Sequence, residues 1–376
     1  MSSITNILVV TPGYPSKNNP YYPFVGLLCE EFAKQGKSVT VVCPQSLFSK
    51  LKRLAKPRPI HCVEDGNGLV DVYRPYYFTL PYQYKRINNY LFRKCLSLFL
   101  KSSNNQFDVY YCHFWQAGYN AYRCIKGTGK PLFVATGESE IGKMYEMKND
   151  NRSFCNYLKG VVAVSTKNRD DSIAMGLTTT EKCKIIPNAV SSELFHKLNQ
   201  TECRKKIGAS QKDFIIIFVG WFIERKGPQR VANAIKKVGG VKSVFIGKGE
   251  QEPQCDDIIF KGPLPHEEIP VYLGAADVFV LPTQHEGCCN AVVEAMACGL
   301  PVISSNRSFN WDVLDETNSI MVDPDNVDDI ASAIKELRDN KSLRETLSKG
   351  ALKKAEKLTI ENRARAIIEF METMKY

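Results

Sequence analysis

Short runs of apolar, largely β-branched residues recur along the chain, and most are followed by sequence with helical spacing. The first half places such runs at 7–10, 39–42, 108–111, 132–135 and 160–164, with helices at 24–34 and 167–175. After Pro187 the alternation starts afresh, with strands at 214–219, 242–246, 258–260, 278–281 and 301–304 and helices at 228–237, 266–273 and 290–297. Strands that are apolar throughout, alternating with helices, predict parallel sheets covered on both faces. The restart predicts an α/β chain of two doubly wound domains joined around 188–213. Ligands of such sheets bind at the carboxyl ends of the strands beside helix N-termini, which two facing domains would place in a central cleft. Residues 326–376 read as helical and richly charged.

Length agrees with that division. A single core seldom grows past about 250–300 residues, and this chain has 376. No apolar run approaches the roughly 20 residues that span a bilayer. The opening residues lack the basic flank of a signal peptide and read as a first buried strand. The 13 cysteines include no C-x-x-C pair and no zinc spacing, so they are expected to be reduced thiols of a cytoplasmic protein.

Charge changes the picture more. The net charge is +10, yet residues 1–130 hold 17 Lys/Arg against 6 Asp/Glu, and the remainder holds 33 against 34. The excess lies in the first domain, notably at Lys50–Arg58 and along residues 84–101. The second stretch reads as a helix with Ile87, Leu91, Cys95 and Leu98 on one side, flanked by Arg86, Arg93, Lys94 and Lys101. Basic and aromatic residues on an amphipathic helix suit an anionic membrane surface, at about 1 kcal/mol per basic residue. A plain solvated face and nucleic acid are the rival readings. No helix-turn-helix, RNP-type or zinc-finger pattern supports the latter, so no nucleic-acid partner is expected.

Two strings carry candidate chemistry. In the first, a strand ends at Pro282, a loop carries Glu286 and Gly287, and a helix opens near Asn290 with Glu294 one turn inside it. The N–H groups around Gly287–Ala291 would form an anion site, although helix N-termini favour carboxylates in any case. In the second, a strand ends at Gly220 and a short loop presents Arg225 and Lys226 before Gly227. Adjacent cations and helix N–H groups can stabilise a departing diphosphate where water is excluded. Such a clamp can stand in for a divalent metal, and no Asp-x-Asp triad lies within this loop to hold one.

Together these strings resemble the E-x7-E segment and the G-R-x-x-x-x-K-G phosphate clamp of the GT-B glycosyltransferases of the retaining family 4. The resemblance extends over nearly the whole chain. It implies two Rossmann-like domains, at 1–190 for the acceptor and 191–355 for the nucleotide-sugar, with a helix at 356–376 crossing back to the first. It implies retaining, metal-independent transfer of a sugar from a UDP- or GDP-sugar, with no cofactor. Donor contacts would come from Gly220, Arg225, Lys226, Gly247, Lys261, Leu264, Glu286, Gly287, Cys288, Cys289, Asn290 and Glu294. Glu294 would hold the ribose and Glu286 the sugar hydroxyls, with Arg225 and Lys226 on the diphosphate. His113, after a strand, would orient the transferred sugar; Glu286, His113 and Lys226 form the catalytic set. Gly13 and Gly26 would line the first loop on the acceptor side, with Thr136 and Glu138 beside them.

The chain departs from the family pattern twice. Trp221 stands where Arg is common, so either Arg225 takes that role or the clamp is weaker. Thr136-Gly137 stands where His-Gly is frequent, and Glu138 reads equally as an acceptor contact or a helix cap. The segment from Ser304 to Pro324 resembles bacterial members that build surface polysaccharides, including the teichuronic-acid type. That implies a saccharide or polyprenyl-linked acceptor and a peripheral place at the cytoplasmic face of the inner membrane. A silent nucleotide-sugar-binding partner and a nucleotide-sugar 2-epimerase are the alternatives.

Overall fold

The computed structural model describes residues 3–16, 22–48, 61–63, 70–103, 106–141 and 151–375. The basic stretch Lys50–Arg58 lies outside them. The chain divides into two compact units. The first takes in residues up to Val164, Asn168–Ile186 and the chain from Arg363 onward; the second takes in Ser165–Lys167 and Pro187–Asn362. The main crossing therefore falls at Pro187 and the return at Arg363, where the sequence suggested 190 and 355.

The first unit is built on β1 (Asn6–Val10), β2 (Ser38–Val42), β3 (Gln45–Ser46), β4 (His61–Val63), β5 (Val70–Tyr73), β6 (Tyr76–Tyr77), β7 (Val109–His113), β8 (Leu132–Thr136), β9 (Gly160–Ala163) and β10 (Cys183–Ile185). Eight of these form one sheet in the order β10-β9-β8-β7-β1-β2-β5-β4, and β3 pairs with β6 apart from it. Every neighbour in the large sheet is parallel except β4 against β5. Strands β7 and β8 are buried at all five positions, as expected of strands covered on both faces. β7 runs on to His113, so that residue ends the strand instead of following it.

The second unit carries β11 (Ile215–Val219), β12 (Lys242–Ile246), β13 (Ile258–Gly262), β14 (Val278–Leu281), β15 (Val302–Ser305) and β16 (Ser319–Val322). They form a sheet parallel throughout, in the order β13-β12-β11-β14-β15-β16. Strand order reverses between β1 and β7 in the first sheet and between β11 and β14 in the second. Loops at such switch points leave a crevice at the strands' carboxyl ends. Both candidate strings, after β11 and after β14, open at the second of these reversals.

The last helix, Ile360–Met374, joins the first unit through specific contacts. Phe370 packs on Phe133 with ring centroids 6.1 Å apart. It lies where a Cβ on Gly160 would fall 2.8 Å from its ring, so glycine starts β9. Glu372 accepts from the amide of Ile4 and from Lys37 Nζ, at 3.2 and 3.1 Å.

One helix is turned from its expected setting. In Lys85–Ser102 the core-facing residues are Phe92, Leu96 and Leu100. Ile87 and Leu98, expected on the apolar side, are exposed. All 13 cysteines are free thiols. Among the described residues no helix is long and apolar enough to cross a membrane.

Candidate active site

On the second unit, the chain leaves β11 through Gly220 and forms a tight turn at Glu224–Lys226. Gly227 closes that turn and caps the helix Pro228–Val238 at φ +75°, a left-handed conformation that favours glycine. A Cβ there would also lie 2.6 Å from Arg230 Nη2. Arg230 pins the turn, donating to the Glu224 carbonyl at 2.9 Å and the Pro282 carbonyl at 3.1 Å. The amide of Gln284 reaches the Arg225 carbonyl at 2.9 Å, so the loops after β11 and β14 are fastened together.

This fastening brings three charges to one point. Arg225 Nη1 and Lys226 Nζ lie 2.6 and 2.5 Å from the same Glu286 oxygen, Oε1, which Thr283 Oγ1 also approaches at 3.3 Å. Arg225 donates as well to the carbonyl of His285. Lys226 is buried, and burial alone would lower its pKa. Cys289 and Glu286 outweigh that and raise it. The Cys289 thiol, 3.8 Å from Lys226 Nζ, is itself pushed up by burial and stays protonated at neutral pH. The charge that holds Lys226 protonated is therefore the Glu286 carboxylate. Arg225 thus shares the point with Lys226.

The helix Asn290–Ala297 opens beside this cluster, and no side-chain hydrogen bond caps it at Cys289. Asn188 braces its start, donating to the Cys288 carbonyl at 2.9 Å and Asn290 Oδ1 at 2.8 Å. Gly287, Cys288 and Cys289 are buried around that start. Glu294, one turn in, meets a partner the sequence did not announce. His266 Nε2 lies 3.0 Å from Glu294 Oε1, and that bond raises the histidine's pKa. Phe195 packs its ring 5.0 Å from the His266 ring.

The loops after β11 and β12 make close backbone crossings. A Cβ on Gly247 would stand 1.9 Å from the Gly220 carbonyl oxygen, so only glycine passes here. Trp221 is 57% exposed, with Lys248 Nζ 5.7 Å from its ring centroid. Lys261 is paired with Glu252 at 3.1 Å, and Leu264 is half-buried beyond β13.

The first unit's rim is of a different kind. His113 ends β7 buried, with Nε2 unbonded and its ring edge-on to Tyr111 and Phe24 at 5.2 and 6.2 Å. Burial, with help from Arg363, pushes its pKa down to about 3. Phe114, next in line, sits at φ +76°, where a bulky residue is strained. Its ring packs 5.7 Å from Tyr22. Thr11 Oγ1 closes the first loop on the Gly13 carbonyl at 2.8 Å. Gly26 does admit a close approach, that of Pro15, whose Cγ a Cβ would meet at 2.5 Å.

Glu138 takes the capping role. Its Oε1 accepts from the amide of Trp115, the first residue of the helix Trp115–Ile125, at 2.9 Å. Its Oε2 accepts from Thr136 Oγ1 at 2.8 Å and the Gly137 amide at 2.9 Å. Thr136 is thereby buried and occupied. Burial outweighs these bonds and raises the Glu138 pKa. Among the described residues, no group of three or more His, Cys, Asp or Glu side chains is placed to hold a metal ion.

Residues 24–194 match the family model Glycosyltransferase Family 4, and residues 199–354 match Glycosyl transferases group 1. A putative teichuronic acid biosynthesis glycosyltransferase, TuaC of Bacillus subtilis, is 26% identical over 349 residues, covering 87% of this chain and 88% of that protein. An Escherichia coli UDP-Gal:alpha-D-GlcNAc-diphosphoundecaprenol alpha-1,3-galactosyltransferase is 25% identical, over 67% of this chain and 71% of its own. The structure of Anabaena HepE in complex with UDP-glucose superposes with a TM-score of 0.73 at 16% identity, covering 98% of this chain and 99% of that one. The fold is GT-B.

Proposed function

Since the chain belongs to the family 4 glycosyltransferases (glycosyl transferases group 1), we propose that it moves a hexose-like sugar from a UDP- or GDP-sugar to a saccharide or lipid-linked saccharide, with retention, in surface-polysaccharide synthesis. The observation that carries this reading is the meeting of Arg225 and Lys226 on Glu286 Oε1, beside a helix start left without a side-chain cap. As the glycosidic bond breaks, negative charge grows on the diphosphate. Cations already fixed there need no reorganisation, and in a site closed to water they act at low dielectric.

Glu286 neutralises one of the two cations before the donor arrives and takes the sugar hydroxyls afterwards. Glu294, held by His266, receives the ribose. The Cys288–Cys289 turn and Asn290 present amides to the phosphates, and Gly247 keeps the nucleotide loop close to Gly220. No nucleophile is assigned, and the leaving phosphate oxygen helps take the acceptor proton. Side-chain cations take the part of a divalent metal, so turnover persists in a chelator. The acceptor is met at an anionic membrane surface at the cytoplasmic face. That reading is supported by the basic excess of residues 1–130 and by the diphosphoundecaprenol acceptor in the Escherichia coli relative's name.

A thermal-shift screen over nucleotide-sugars tests the donor reading. A ligand at 100 times its Kd adds about 2.7 kcal/mol. A shift by a UDP- or GDP-sugar, absent in Lys226→Ala, is the expected result; no shift with any of them sinks the reading. The anomeric configuration of the product, read by NMR, tests retention.

A further inference from the structure

Eight large hydrophobic side chains are exposed among the described residues, and five of them, Phe78, Tyr84, Ile87, Tyr90 and Leu98, fall within 21 residues of the first unit. Leu98 is 69% exposed and Phe78 50%. The clustering follows from the setting of the helix Lys85–Ser102. Phe92, Leu96 and Leu100 face the core, which turns Ile87, Tyr90 and Leu98 outward. Between this outer face and residues 75–78 runs a cavity of about 530 Å³, lined in part by Phe78, Leu91, Cys95, Leu98 and Phe99 and by no charged side chain. The same helix carries Lys85, Arg86, Arg93, Lys94 and Lys101 and no acidic residue. Lys94 lies over the Tyr90 ring, 5.5 Å from its centroid.

We infer that this groove seats a hydrocarbon chain of an anionic lipid while the flanking lysines and arginines hold the bilayer's headgroups. The inference rests on the membrane-surface reading above and gives it an address. An isolated apolar patch of this kind marks an interaction surface. Its composition selects the partner. Lysine is depleted in protein–protein interfaces, whereas aromatic and aliphatic residues beside lysines suit a helix lying at a bilayer surface. Nucleic acid would require a charged track beside the stacking rings, and no charged side chain lines this groove.

Flotation of the full chain with phosphatidylcholine vesicles, with and without phosphatidylglycerol, tests it. Binding is expected to the anionic vesicles only and to weaken with salt. Leu98→Glu, at an exposed position that folding tolerates, should weaken it roughly tenfold or more. Leu98→Trp should gain fluorescence that brominated acyl chains quench. Binding that Leu98→Glu leaves unchanged, or a Trp that bromolipid does not quench, overturns the chain seat while the basic-surface reading stands. No binding at low salt overturns both. The thermal shift by UDP, which neither variant should alter, reports on the donor reading separately.

Discussion

Each unit sets a histidine near its strand ends, and the two are shifted in opposite directions. His266 of the second unit shares a hydrogen bond with Glu294, which raises its pKa. His113 of the first is buried among rings, and its pKa is pushed down to about 3. The contrast runs through both rims. The second gathers Arg225, Lys226, Glu286, Glu294 and His266, each charge answered by another. The first presents a neutral imidazole, Phe24, Phe114 and Tyr22, with the Glu138 carboxyl spent on a helix start. A rim of paired charges can exchange partners with an anion. A neutral rim suits hydroxyls and sugar faces.

The largest effect should come from breaking the charged rim. On the proposed reading, Lys226→Ala removes the buried cation that answers charge at the leaving group and should lower kcat by about 10²-fold or more, with Glu286→Gln, which disturbs the hold on the transferred sugar, of similar size. Steady-state kinetics with the folded variants checks this. Losses of that size from His113→Gln but not from Lys226→Ala would move the electrostatic work to the other rim and reverse the comparison.

The neutral rim answers through acid stability. The folded protein keeps His113 unprotonated, while the unfolded chain takes up a proton below about pH 6.5. The stability tied to neutral His113 is whole above that value and falls as pH drops toward the folded pKa of about 3. By pH 5 the loss is about 2 kcal/mol, at 1.36 kcal/mol per unit. His113→Gln, whatever its absolute stability, should flatten this acid limb in urea midpoints measured from pH 7 to 5. An unchanged slope would show that another group carries it.

The charged rim was the more legible of the two in sequence, for a physical reason. Its groups sit on contiguous strand–loop–helix strings, so Arg225, Lys226, Glu286 and Asn290 can be set on a loop or a helix start from local spacing, while their roles come from the family resemblance. What escaped was pairing over distance. His266 and Glu294 are 28 residues apart, and nothing local marks one as the partner of the other. The neutral rim is assembled from Tyr22, Phe24, His113 and Phe114, which meet only when the helix Pro23–Lys34 lies beside β7. Spacing likewise sets Ile87, Leu91, Cys95 and Leu98 on one side of the helix Lys85–Ser102, whereas the core accepts Phe92, Leu96 and Leu100. The edge strands β10 and β16 are only partly buried and mix polar Lys184 and Ser319 with their apolar residues, so neither announces itself as an apolar run.

Glu138 gives a test of intermediate size. Glu138→Ala strips the acceptor from the Trp115 amide, the Thr136 hydroxyl and the Gly137 amide together. The expected loss is about 1–2 kcal/mol, the range of a lost helix cap. Glu138→Gln keeps an acceptor oxygen and should lose less. Thermal unfolding separates the two. If both variants are as stable as the parent yet fail with acceptor, the carboxylate belongs to the substrate and the first rim is less neutral than drawn.

The smallest effect expected is at His266, and its sign is opposite to that of His113. Its pKa is raised in the folded protein by the bond to Glu294. The pair's contribution is therefore fully present below about pH 6.5, the unfolded value, and is lost as pH rises through the folded one. Part of the ring is exposed, so solvent screens the pair and the effect on folding is modest. The effect on the donor should be clearer, because an unfastened Glu294 must be reoriented before it can hold a ribose. His266→Gln should raise the donor KM a few-fold at pH 6 with kcat little changed, and should erase the rise in KM expected of the parent as pH climbs above about 6.5. A parent KM flat over that range, with Glu294→Gln still harmful, would leave Glu294 in its role and reduce His266 to packing against Phe195.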